Sequence, residues 1–218
     1  MKNIIKLTAI MLLAIFASCK KDAKVADTPT DLNQYYVAGK FSYQEGPAIP
    51  FAFIPSSATK GLFVYLGEQK DVDYTFENNQ LSTTISGAKF TCDIKGGKIE
   101  NIIVNSAMLD IVAAVLNKKQ DPSLTFTGKR FEAPLKKLDE TVVYDHYYFE
   151  FNADPQQLIY KSNPVSGSYL IFAKSYELLV DGCFHNEDTD TFAVMMNGKL
   201  ELETKIGNDY VLFSGTKK

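Results

Sequence analysis

The chain has 218 residues, 45% of them hydrophobic, and a formal net charge of −3 at pH 7. That much apolar material supports a packed core and excludes a disordered chain. The mild acidity, with Arg130 as the single arginine, argues against nucleic acid and other phosphate-rich partners.

At the N-terminus, Lys2 and Lys6 precede an apolar run from Leu7 to Phe16, broken only by Thr8 and followed by small Ala17 and Ser18 before Cys19. The run is far shorter than the ~20 residues a membrane-crossing helix needs, so residues 1–18 read as a cleavable signal peptide. Phe16-Ala17-Ser18-Cys19 resembles the lipobox of bacterial lipoproteins, departing from it at Phe16, where leucine is usual. The resemblance implies cleavage before Cys19, attachment of fatty acyl chains such as palmitate to Cys19, and a lipid anchor in the membrane. Lys20 is not the aspartate that retains such proteins at the inner membrane, which implies the outer membrane. An ordinary secretory signal with an incidental cysteine is the alternative. Two or three acyl chains, at about 0.8 kcal/mol per buried CH₂, would hold a protein firmly. Residues 19–33 are polar and lack hydrophobic periodicity, as expected of a lipidated tether.

From residue 34 to 104 the pattern has period two. Stretches rich in Tyr, Phe, Val, Ile and Thr are divided by Gly, Asn, Asp and Pro, the mark of antiparallel meanders. In VDYTFENNQLSTTI a two-residue loop at Asn78 and Asn79 sets Phe76 opposite Leu81 and Val72 opposite Ile85. In AKFTCDIKG, Phe90, Cys92 and Ile94 alternate toward one side, so Cys92 reads as a small core residue. Whether it pairs with Cys183 is open from sequence.

The segment NSAMLDIVAAVLNKKQDP interrupts the alternation. Met108, Leu109, Ile111, Val112, Val115 and Leu116 fall on one face at helical spacing, with lysines in the last turn and Pro122 beyond. The spacing predicts an amphipathic helix over 105–120.

Residues 121–218 read as a second β-rich half, with strands expected near 124–132, 143–152 and 168–173 and on to 209–214. Asp181-Gly182 is expected to place Leu179 opposite Phe184. In TFAVMMNGKLELET, a two-residue Asn197-Gly198 loop would face Val194 with Glu201 and Phe192 with Glu203. A three-residue loop pairing Val194 with Leu200 and Phe192 with Leu202 keeps the core apolar and is the preferred reading. Segments of the two halves resemble each other in order, beginning with AGKFSY and TGKRFEA. The expected fold is all-β: antiparallel meander strands in two small barrel- or sandwich-like halves with one helix between them, similar in overall look to lipocalin-like meander barrels.

Chemical motifs are few. His146 and His185 are the two histidines, and neither they nor Cys183 show metal-ligand spacing. Asn186-Glu187-Asp188-Thr189-Asp190 gathers oxygens but lacks the glycine and distal glutamate of an EF-hand loop. No cofactor motif is present, so no catalytic residue, cofactor or metal is assigned. In VVYDHYYFEF, Tyr147, Phe149 and Phe151 should face the core, while Tyr144, His146 and Tyr148 line the opposite side, a surface on which a sugar or apolar ligand could stack. The expected function is a membrane-anchored, non-enzymatic binding or structural module of the cell envelope, with a glycan, an apolar small molecule or an envelope protein as partner. A lipocalin-like carrier with inward Phe51, Phe53, Phe149 and Phe151, and a carbohydrate-active enzyme using paired carboxylates, are the alternatives.

Overall fold

A computed structural model describes residues 28–44, 46–152, 157–162, 172–186 and 190–218. Cys19 and the signal region lie outside these residues, as do 187–189 of the acidic turn and most of the strand expected at 168–173. Among the described residues, all regular structure is strand apart from one 3₁₀ turn at Pro122–Leu124.

The first half contains β1 (Tyr35–Tyr43), β2 (Ile49–Pro55), β3 (Lys60–Tyr65), β4 (Glu68–Glu77), β5 (Gln80–Ile85), β6 (Ala88–Lys95), β7 (Lys98–Asn105) and β8 (Leu109–Lys118). These form one antiparallel meander in which β8 returns to pair with β1, Val37 facing Leu116. The result is a nearly closed barrel, with a single seam between β7 and β8 that carries no ladder.

The second half runs through β9 (Arg130–Lys137), β10 (Val142–Phe151), β11 (Gln157–Ser162), β12 (Phe172–Ser175), β13 (Glu177–Val180), β14 (Cys183–Asn186), β15 (Thr191–Met196), β16 (Lys199–Ile206) and β17 (Asp209–Lys217). Again the last strand pairs with the first, Phe213 facing Leu135. This sheet curls until Phe151 of β10 meets Phe184 of β14, ring centroids 5.4 Å apart. The strand expected from 124 starts later, at Arg130, because the 3₁₀ turn capped by Asp121 occupies its first part.

The helix expected over 105–120 is absent, and the segment is largely β8. The physical reason is a bulge: Phe41 pairs with Ile111 and Lys40 with Ala113, so Val112 is an extra residue on β8. Leu109 and Ile111 point into the barrel core before it, Ala114 and Leu116 after it. Two alternating stretches of opposite phase, joined at an apolar residue, leave hardly a polar position in the run, and such a run also fills a helical stripe. Ile111, Val112 and Val115 are β-branched, and β1 needs a partner on its free edge.

The Asn78-Asn79 hairpin has Phe76 opposite Leu81 and both asparagines left-handed. The other two hairpins differ from expectation. A bulge at Leu179 puts Leu178, not Leu179, opposite Phe184. The Asn197-Gly198 loop has two residues, so Val194 faces Glu201 and Phe192 faces Glu203. Left-handed Asn-Gly is the turn whose twist matches a hairpin, and both residues adopt it. The two glutamates are buried nonetheless, because that face of β16 packs on the barrel.

The halves meet through β2 and β15, which are buried on both faces. Outward Ala38, Ala52 and Val64 of the barrel pack against Phe192 and Val194. Cys183 lies in this contact and Cys92 in the barrel core; both are free thiols, and burial pushes that of Cys92 up to about 12.

Candidate functional site

The barrel interior is lined by alternate residues of its strands. Phe41, Phe51, Phe53, Phe63 and Phe90 are nearly inaccessible. Space for two of them comes from glycine: a Cβ at Gly39 would lie 2.5 Å or less from the Phe51 ring, and one at Gly61 2.6 Å from Phe53. These rings therefore lie flat over backbone, where any side chain would collide.

One end of the barrel is closed. Leu32, three residues before β1, is 2% exposed within the core cluster, and Gly96 in the β6–β7 turn donates its N–H to Thr28 Oγ1 at 2.9 Å. Residues 28–33, read as tether from sequence, thus pack on the barrel.

At the opposite end a cavity of about 80 Å³ opens among the aromatic rings, bounded by Tyr43, Tyr65, Ile85, Val104, Leu109 and Ile111. The Thr83 hydroxyl in its wall is engaged, donating to Asp73 O at 2.7 Å. At the rim, Lys70 Nζ donates to Tyr65 OH at 2.7 Å and to Ser86 Oγ at 3.4 Å, and pairs with Glu68 at 2.8 Å. These partners hold the Lys70 ammonium well above its usual range, Glu68 contributing most. The cavity is thus greasy within and polar at its lip.

The aromatic strand of the second half behaves otherwise. Phe149 and Phe151 face inward as expected and sit at 0% exposure in the core of that half. A bulge between Tyr144 and Tyr147 turns Tyr144 onto the same side as Tyr147, ring centroids 5.5 Å apart. Tyr148 lies under the Arg130 guanidinium, 3.8 Å from its ring centre, and exposed His146 bonds Glu132 at 3.0 Å. Lys218 and His146 hold the Glu132 carboxylate below its usual range. Tyr144, His146 and Tyr148 thus fail to form one aromatic face.

The buried charges lie between the halves. Glu201 accepts from Ser214 Oγ at 3.0 Å and pairs with Lys40 at 2.9 Å, at the edge of a cleft of about 350 Å³. Glu140 in the same cleft holds Lys136 at 2.8 Å. Both carboxylates are engaged by lysines, an arrangement unlike a free acid and base flanking a glycosidic bond. Glu203 is fully buried and accepts the Gly67 N–H at 3.1 Å. Its second oxygen has no hydrogen-bond partner among the described residues, and burial raises its carboxyl well above the ordinary range. His185 Nε2 donates to Gly67 O at 2.9 Å, and its Nδ1 lies 2.8 Å from the Gln69 side-chain amide, so both ring nitrogens are engaged. Sequence reading missed this cluster, although the Asn-Gly loop was the signal that places both glutamates opposite apolar partners. Among the described residues no group of three or more His, Cys, Asp or Glu side chains is placed to hold a metal ion. No known protein family, curated protein or solved structure matches the chain.

Proposed function

We propose that this is a membrane-tethered envelope protein whose barrel binds the apolar end of an amphiphilic small molecule. The observation that carries the reading is the open aromatic-lined cavity in a barrel whose other end is plugged. Its volume is about half the ~150 Å³ that accommodates benzene in an engineered cavity, so it suits a short stretch of aliphatic chain or a small branched alkyl group. A whole fatty acid is too large, and the remainder would extend beyond the rim. Burying alkyl carbons against these walls contributes about 0.8 kcal/mol per CH₂. The tether and outer-membrane address rest on the lipobox-like residues before Cys19.

Methyl NMR during titration with n-octanol tests the binding. Saturable shifts at Ile85, Val104, Leu109 and Ile111, with Leu200 and Leu202 of the second half unmoved, are expected. Shifts that never saturate, or that spread evenly over both halves, would refute it.

A further inference from the structure

The cavity mouth has two lips built from similar turns and held very differently. One is Leu66-Gly67, between β3 and β4; the other is Ser86-Gly87, between β5 and β6. All four residues are left-handed, with φ of 45° and 69° in the first and 49° and 84° in the second. For Leu66 that backbone is unfavourable, and such a conformation persists where surroundings over-determine it. Here the surroundings belong to the second half. Glu203 accepts the Gly67 N–H, His185 donates to Gly67 O, and Tyr210 OH donates to Leu66 O at 3.4 Å. A Cβ at Gly67 would come within 2.9 Å of Asp190 Cβ, whereas no described atom lies within 4 Å of one at Gly87.

Tyr65, the residue before this turn, is a wall of the cavity. Its hydroxyl is tied to Lys70, which also reaches Ser86 on the other lip. Among the described residues the second oxygen of the buried Glu203 carboxyl has no hydrogen-bond partner, and the backbone groups that favour its charged form are those of Leu66 and Gly67.

We infer that the second half is a brace for the binding site, in which Glu203, His185 and Tyr210 are positioning residues that fix the Leu66-Gly67 lip and the Tyr65 wall. The ligand then passes over the unbraced Ser86-Gly87 lip. This rests on the reading of the barrel cavity as the ligand site.

The test measures n-octanol affinity by methyl NMR for the whole chain and for Gly67→Ala, Glu203→Ala and Glu203→Gln, at a temperature where denaturation curves show each folded. Gly67→Ala disturbs the turn from the barrel side, so a folding failure of Glu203→Ala leaves the proposal exposed to refutation. Gly67→Ala and Glu203→Ala should weaken binding about tenfold, the factor that loss of one buried hydrogen bond supplies. Glu203→Gln, which keeps an acceptor for the Gly67 N–H, should bind within about twofold of the unaltered protein, a rescue that a purely structural role does not require. Unchanged affinity in Gly67→Ala and Glu203→Ala would overturn the brace and leave the cavity reading standing. Absence of octanol binding by the unaltered protein would overturn both.

Discussion

In the barrel, Phe51 and Phe53 lie over glycines and the space ahead of them stays partly empty. In the second half Phe213 lies over Gly215 in the same way, yet Phe149 closes on it at 4.7 Å among fully buried rings. Both meanders close last strand on first, and both bury a residue from the segment leading into the first strand: Leu32 in one, Phe126 in the other. They differ in what the remaining strands contribute. β5 to β8 bring Ile85, Ala88, Val104 and Leu109 to the barrel mouth, whereas the second half supplies rings such as Phe126, Tyr147, Tyr176 and Phe184. On a shared backbone plan the two interiors therefore differ in the sizes of a few inward residues, and those sizes set how much space a barrel leaves.

The contrast is broken most severely by Phe151→Ala. Phe151 is fully buried and stacks on Phe126 at 4.9 Å, so its removal should cost about 3–5 kcal/mol in urea unfolding. A loss below about 1 kcal/mol would mean that the second core can collapse and is not rigidly filled.

Next in size is the pH dependence set by Glu203. Its folded-state value lies well above the ordinary one because of burial, so its stabilising contribution is full below about pH 4.5 and is lost as pH rises through the folded value. Glu203→Gln removes that titration. The urea midpoint of the unaltered protein should fall relative to Glu203→Gln as pH rises above about 4.5. A difference independent of pH would show that the carboxyl is not held neutral.

A matched pair then separates the two interiors. Ala193→Leu, at a fully buried position of the second half, should destabilise by about 1–3 kcal/mol. Ala88→Leu, in the cavity wall, should stabilise by about 0.5–1 kcal/mol and abolish octanol binding. Equal effects in the two halves would erase the distinction. Tyr144→Ser, at an exposed position, should change stability by less than about 0.5 kcal/mol and leave octanol binding unaltered.

Many strands were legible because they bury one face, which writes period two into the sequence; β4, β5 and β6 illustrate this. The failures share a cause. At Val112 a bulge reversed the phase, and local periodicity cannot tell a phase reversal from a helix. At Asn197-Gly198 the turn chemistry was correct and was overruled by the assumption that a face carrying Glu201 and Glu203 must be solvated. That face is covered by the other half, where Lys40 and the Gly67 N–H meet the carboxylates, and partners so far away in sequence are invisible to any window. Phe51 and Phe53 were readable as inward; the emptiness beside them was not, since it depends on the volumes of residues from six other strands.

Leu32 gives the barrel a mechanical polarity. It sits just ahead of β1 and stoppers the end away from the mouth, with Thr28 fastened to Gly96 beside it. Any anchor upstream of Thr28 would seat the molecule stopper-down with its opening outward, and tension along the leader would load the stopper before it reached a strand.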